Sequence, residues 1–334
     1  MLLHYDFDHS NSVCLFLILL AKLKSTNMEL SQKITELKKK KNAVILAHYY
    51  QTPEIQDVAD YVGDSLGLSQ KVISSDAEII VFAGVHFMAE TAKILNPTKK
   101  VLLPDLAAGC SLADSCPPDA FKKVIDEHPD HVVITYINCS AEIKAMSDLV
   151  CTSSNAEQIV NAIPRDVPIL FAPDKNLGKY IQKKTHREML LWDGSCIVHE
   201  AFSFDKLLKL YQSYPGSKIL AHPESESHVL ETATYVGSTA GMIRYVKEHP
   251  TDDYIVATEA GILHKMQQEV PDTLLIPAPA KEDNHCACSE CAFMKLNTLE
   301  KLYNCLLDEN PQIVIDPSIQ KKAIKPIIRM LELS

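Results

Sequence analysis

A unit of just under ninety residues occurs three times along this chain, and that repeat restricts the fold more than any other feature. Short apolar runs at 43–47, 131–137 and 217–221 each read as a buried parallel strand. Each ends in a polar or aromatic cluster, opening at His48, Tyr136 and His222. Tyr136 follows His48 by 88 residues, and His222 follows Tyr136 by 86. A second set of markers keeps the same offsets. Val62-Gly63-Asp64-Ser65, Val150-Cys151-Thr152-Ser153 and Val236-Gly237-Ser238-Thr239 each lead to a hydroxyl placed where a helix N-cap is expected, at Ser65, Ser153 and Thr239.

Further strands are expected at 78–83, 167–172 and 253–258, each followed by a helix and then a last strand at 100–103, 188–192 and 273–276. A cysteine comes next each time. Cys196 follows Cys110 by 86 residues and Cys291 follows Cys196 by 95, so the third copy carries an insertion of nine residues.

Strands alternating with helices at this pitch predict an α/β fold of three pseudo-threefold-related αβα sandwich domains, each built on a small parallel sheet. The expected organisation is an N-terminal extension and leading helix over 1–40, repeat domains over 41–112, 113–198 and 199–305, and a closing segment, 306–334, packed on the first domain. Ligand-binding groups in such sheets sit beyond the carboxyl ends of the strands, where all of these clusters fall. A threefold arrangement brings the three cysteines, and the active site, to the central junction.

With 46% hydrophobic residues in 334, the chain can bury a sizeable core. Its 33 basic residues against 43 acidic ones repel phosphate backbones and anionic membranes, so neither nucleic acid nor a membrane is an expected partner. Ten cysteines scattered through a long Lys/Glu-rich chain read as reduced thiols of a cytoplasmic protein. The apolar run 13–21 is too short to span a bilayer. Leu30, Ile34 and Leu37 mark an amphipathic helix over 28–41, and Met28 is read as the native start.

Cysteine thiolates suit zinc or an iron–sulfur cluster, and three protein ligands leave one position open for chemistry. Cys110 and Cys196 lie in glycine-containing loops after a strand, whereas Cys14, Cys116, Cys139, Cys151 and Cys305 read as small buried hydrophobes. The run Cys286-Ala287-Cys288-Ser289-Glu290-Cys291 also fits a self-contained zinc knuckle with a fourth ligand such as His285. His48, Tyr50, Tyr136, Asn138, His222 and Glu224 mix donors, acceptors and a carboxylate, a set suited to a dicarboxylate or a phosphorylated sugar and to moving protons. Ser65, Ser153 and Thr239, at helix starts, suit carboxylate or phosphate. The chain contains neither a G-x-G-x-x-G nor a Walker A sequence, so no nucleotide cofactor is expected.

The run 47–65 (AHYYQTPEIQDVADYVGDS), with AGCSLADSC, YINCSAEIKAMSDLVCTSSNA, WDGSCIVHE, AHPES, YVGST, ATEAGI and CAFMKLNTLE, resembles the quinolinate synthases over essentially everything after Lys41. The resemblance implies three αβα domains around a pseudo-threefold axis and one [4Fe-4S] cluster per chain. It implies a transferase reaction of NAD biosynthesis, in which iminoaspartate and dihydroxyacetone phosphate condense to quinolinate with loss of phosphate and two waters. The open iron of the cluster would act as a Lewis acid. By motif match the cluster ligands are Cys110, Cys196 and Cys291. Substrate contacts are His48, Ser65, Tyr136, Asn138, Ser153, His222, Glu224 and Thr239, and Tyr50, His222 and Glu224 take the catalytic roles, with Tyr50 and Glu224 moving protons. Functional coupling to an aspartate-oxidising enzyme, which makes iminoaspartate, is a further implication. The spacing of Cys286 and Cys288 departs from family versions carrying two C-x-x-C pairs, which puts a regulatory disulfide there in doubt.

Overall fold

Twelve strands form three separate four-stranded sheets in the computed structural model, which describes residues 9–281 and 289–334, with side chains from residue 25 onward. The first sheet holds β1 (Ala43–His48), β2 (Tyr61–Gly63), β3 (Ile79–Ala83) and β4 (Lys100–Leu102). The second holds β5 (Val132–Tyr136), β6 (Leu149–Cys151), β7 (Ile169–Ala172) and β8 (Leu190–Leu191). The third holds β9 (Lys218–Ala221), β10 (Tyr235–Val236), β11 (Tyr254–Ala257) and β12 (Leu275–Pro277).

Every pairing is parallel, and the order is the same each time: β2-β1-β3-β4, β6-β5-β7-β8 and β10-β9-β11-β12. The expected α/β architecture with three small parallel sheets is therefore present. The sequence reading missed the second strand of each unit. Those segments are only two or three residues long, too short to show a period, and they pair on one side alone.

The central strands explain the sheets' position inside the molecule. All five residues of β3, Ile79-Ile80-Val81-Phe82-Ala83, are buried, as are five of the six in β1. A run apolar at every position needs cover on both faces, which the crossover helices supply. Ile45 and Leu46 point to opposite faces of β1 and are both fully buried. Such side chains contribute roughly 1.5–3 kcal/mol each by leaving water.

The leading helix, His9–Lys40, is longer than the amphipathic stretch expected over 28–41. It buries Ile34 completely, with Leu30 and Leu37 partly buried beside it, against the first sheet and the helix Leu299–Asp308. The closing segment was expected on the first domain, but it joins two units. Gln312 bridges Leu102 antiparallel at the edge of β4, and Ile313 N–H donates to Val101 O at 2.8 Å. The helix Pro317–Glu332, capped by Asp316, lies mainly on the second unit, against β6 and the helix Ala141–Ala145, with a smaller contact to His86–Leu95 of the first. Its buried Ala323, Ile327 and Met330 face both units, so the helix belongs to their common core. Among the described residues no helix is long and apolar enough to cross a membrane.

In the order 2-1-3-4 the chain leaves the first strand in one direction and the third strand lies in the other. The crevice between the carboxyl ends of those two strands is the topological switch point, where ligands bind in open parallel sheets. Three such switch points face one another here.

Candidate active site

The first strand of each unit delivers its terminal pair to that junction. His48 ends β1 and Tyr136 ends β5, while His222 directly follows β9; two residues beyond each come Tyr50, Asn138 and Glu224. In two of the units the turn is closed in the same way. Tyr50 N–H donates to His48 Nδ1 at 3.1 Å, and Glu224 N–H donates to His222 Nδ1 at 3.4 Å. An Nδ1 that accepts leaves the proton on Nε2. His222 Nε2 then lies 3.2 Å from Ser153 Oγ. Burial pushes both imidazoles down to about 3, against a partial pull upward from Glu224. At neutral pH both are uncharged donors.

The second set of markers meets at the same junction, with the caps shifted by one residue in the first and third units and by two in the second. The caps are Asp64, whose carboxylate accepts from Gly67 N–H, and Ser238, whose hydroxyl accepts from Gly241 N–H. Ser65 and Thr239 are the first helical residues after them, and Ser153 sits in the turn before the cap at Asn155. Aspartate caps as well as serine, and serine better than the threonine beside it. Ser154 Oγ donates to Asp64 Oδ2 at 2.8 Å and lies 2.8 Å from Ser238 Oγ, so the cap regions of all three units are joined.

Each cysteine is set by the turn that follows its unit's last strand. Cys110 and Cys196 are the N-cap residues of the short helices Ser111–Asp114 and Ile197–Glu200, and Cys291 precedes the 3₁₀ turn Met294–Leu296. Two backbone N–H groups beside each thiol favour its thiolate: Leu112 and Ala113, Val198 and His199, and Phe293 and Met294. Burial nonetheless raises all three, Cys110 to about 12, and the Glu224 charge raises Cys196 further. Thiolates are thus pre-solvated by the backbone but costly without a cation, the condition that metal binding relieves. The other described cysteines, Cys116, Cys139, Cys151 and Cys305, are buried as small hydrophobes. Cys14, Cys286, Cys288 and His285 lie outside the side chains described.

All twelve residues singled out in the sequence, from His48 to Cys291, line one cavity. Two more groups on its wall escaped the sequence reading. Tyr50 Oη is 2.6 Å from Thr258 Oγ1, which is 2.9 Å from His199 Nε2. His199 Nδ1 lies 3.1 Å from Glu224 Oε2, and Tyr136 Oη donates to Glu224 Oε1 at 2.5 Å. One polar chain therefore runs from Tyr50 to Tyr136. Burial alone would raise Glu224, but His199, His222 and the Tyr136 hydroxyl overcome it and hold the carboxyl at about 2. Tyr50 and Tyr136 are both raised by burial and by the Glu224 charge, and stay protonated. The second missed group is Glu259, fully buried beside Cys291. The available signals were a histidine three residues after Cys196, in WDGSCIVHE, and a Thr-Glu pair after the third strand of its unit, in ATEAGI.

Among the described residues, Cys196, His199 and Glu224 form the only trio whose ligand atoms lie within 4.8 Å of one another. Cys110, Cys196 and Cys291 together are spread more widely, beyond the ~3.8 Å that separates thiolates on a single tetrahedral zinc. Three such thiols, one from each unit, fit a cluster of several metal atoms better than one ion.

The family model described as quinolinate synthetase A protein (NadA) matches residues 32–332. The chain belongs to the quinolinate synthase family. A quinolinate synthase of Microcystis aeruginosa is 60% identical over 306 residues, covering 92% of this chain and 95% of that one. A second, from Thermosynechococcus vestitus, is 59% identical over 307 residues, with 92% and 96% covered. A third, from Chloroherpeton thalassium, is 57% identical over 312 residues, with 93% and 97% covered. The span matched by the family model contains every cavity residue named above.

Proposed function

We propose that this protein is a quinolinate synthase of NAD biosynthesis, a transferase condensing iminoaspartate with dihydroxyacetone phosphate to give quinolinate, phosphate and two waters. Atoms balance in that reaction with no net oxidation. The observation that carries the reading is the convergence of three cysteines, one per unit, on the cavity that also holds the Tyr50–Thr258–His199–Glu224–Tyr136 chain. Cys110, Cys196 and Cys291 would hold one [4Fe-4S] cluster, which supplies a Lewis acid at its open iron when bound.

The protein's own groups account for the remaining tasks. The Nε2–H groups of His48 and His222 and the hydroxyls of Ser65, Ser153 and Thr239 suit the carboxylates and phosphate of the two substrates. Asn138 Oδ1 is buried without a partner and is free to accept from a substrate N–H or O–H. Glu224 is an anion in a largely closed site, placed to take a proton from carbon or nitrogen, and Tyr136 offers one beside it. Tyr50, protonated and joined to Glu224 through Thr258 and His199, can return a proton to a departing hydroxyl. Iminoaspartate is unstable, so an aspartate-oxidising enzyme in the same compartment, the cytoplasm, is the expected supplier.

The test is quinolinate formation by anaerobically prepared protein given both substrates, with iron and sulfide counted per chain. Protein loaded with four irons that makes no quinolinate would overturn the activity. Protein that makes quinolinate with a single zinc and no sulfide would overturn the cluster.

A further inference from the structure

The three cysteines reach the cavity by connections of unequal length. Cys110 follows the end of β4 by eight residues and Cys196 follows the end of β8 by five, but Cys291 follows the end of β12 by fourteen. A longer connection restricts its end less. The third thiol is held by contacts near its own end, beginning with Ser289, whose Oγ donates to Ala278 O at 2.6 Å and whose carbonyl accepts from Ala260 N–H at 2.9 Å.

Glu259 adds the next of these contacts. It lies just beyond β11, is fully buried, and its carboxylate meets three donors. Oε1 accepts from Cys291 N–H at 3.1 Å and pairs with Lys295 Nζ at 2.9 Å, while Oε2 accepts from Gly261 N–H at 2.7 Å. Lys295 in turn donates to Tyr50 O at 2.7 Å. Gly261 is needed here for space: a Cβ would stand 2.8 Å from the Tyr50 carbonyl carbon and 2.8 Å from Glu259 Oε2. Burying a carboxylate is expensive unless it is paired and fully hydrogen-bonded, as this one is. Asp105 and Asp174 lie beside the connections to Cys110 and Cys196, but among the described residues neither carboxylate accepts from the cysteine's own N–H, as Glu259 does from Cys291.

We propose that Glu259 and Lys295 are positioning residues that seat Cys291 for cluster binding and fix the Tyr50 backbone against it. The proposal rests on the three-cysteine reading of the site. Its logic is chemical. All three partners of the Glu259 carboxylate are donors, so in Glu259→Gln the amide N–H₂ group opposes either Gly261 N–H or, turned the other way, both Cys291 N–H and Lys295. The ion pair with Lys295 is lost as well. Cys291 should loosen while Cys110 and Cys196 keep their own backbone donors.

The test is selective alkylation. Anaerobically reconstituted wild-type and Glu259→Gln proteins are exposed to a chelator with an alkylating agent, and labelling of each cysteine is followed by peptide mass spectrometry. The expected result is alkylation of Cys291 about tenfold faster in the variant, with Cys110 and Cys196 labelled later. A general loss of structure would instead expose the three together, and that outcome, like equal Cys291 rates in the two proteins, overturns the proposal. Should Glu259→Gln not fold, Glu259→Asp keeps the charge but withdraws it from Cys291 N–H, and the same selective labelling is required of it. Wild-type protein that takes up no cluster would refute the reading of the site itself, a different failure from a cluster held equally well without Glu259.

Discussion

Acidification should cost this fold stability through two particular histidines, and the size of the loss follows from the structure. His48 and His222 are held near 3 by burial, well under the ordinary 6.5 of an unfolded histidine. A base whose folded value is depressed contributes stability that is present above 6.5 and lost as the pH falls through that value toward 3. Between pH 7.5 and 5.5 the unfolded side chain gains most of a proton and the buried one gains none. That difference amounts to about 1.4 kcal/mol per histidine, or about 2.7 kcal/mol for the two. Other groups titrate with the opposite sign: burial and the charge of Glu224 raise Asp174 well above its usual range, so its contribution is lost as pH rises. The assay must therefore compare proteins. Anaerobic urea unfolding of the parent, His222→Gln and His48→Gln at the two pH values isolates each histidine, because the remaining groups cancel. Each variant should lose about 1.4 kcal/mol less than the parent on acidification. A His222→Gln protein that loses as much as the parent, within about 0.3 kcal/mol, would show that His222 is not held neutral.

Four further outcomes are expected. Glu224→Gln should lower turnover by about 10²–10⁴ with the cluster spectrum intact, and wild-type turnover in that variant would remove Glu224 from proton transfer. Thr239→Ala should weaken substrate binding by about 1–3 kcal/mol, read as a raised Michaelis constant; unchanged constants for both substrates would leave the hydroxyl no part in binding. Cys291→Ala should abolish cluster and activity, whereas Cys286→Ala combined with Cys288→Ala should retain the [4Fe-4S] signal, and the reverse pattern would favour a local zinc-type site. Gly194→Ala should displace the loop carrying Cys196, because the added Cβ would stand 2.5 Å from Pro173 O and 2.3 Å from Ser115 Oγ. Iron content read after anaerobic reconstitution checks this, and full occupancy would mean the loop can yield.

The repeat was legible before any coordinates, as were nine of the strands and the twelve cavity residues, because all depend on local constraints. A strand buried on both faces must be apolar throughout, and its polar ending marks where it reaches a ligand site; both are written in consecutive residues. The one-residue error at the helix starts came from a competition that spacing cannot judge, between Asp64 and Ser65 and between Ser238 and Thr239. The short second strands were invisible for a similar reason: their place is set by pairing with β1, β5 and β9, not by their own composition. Only the tertiary structure could join Tyr50 to Thr258, 208 residues away, or Tyr136 to Glu224, 88 away. The sequence by itself determined three like units and the residues each turns toward a ligand. Which of those residues share a proton, which buried charges answer one another, and that His199 and Glu259 belong among them were decided by tertiary packing, since Tyr50–Thr258 and Tyr136–Glu224 join different copies, His199 and Glu259 meet partners far along the third copy, and none of these contacts follows a local period.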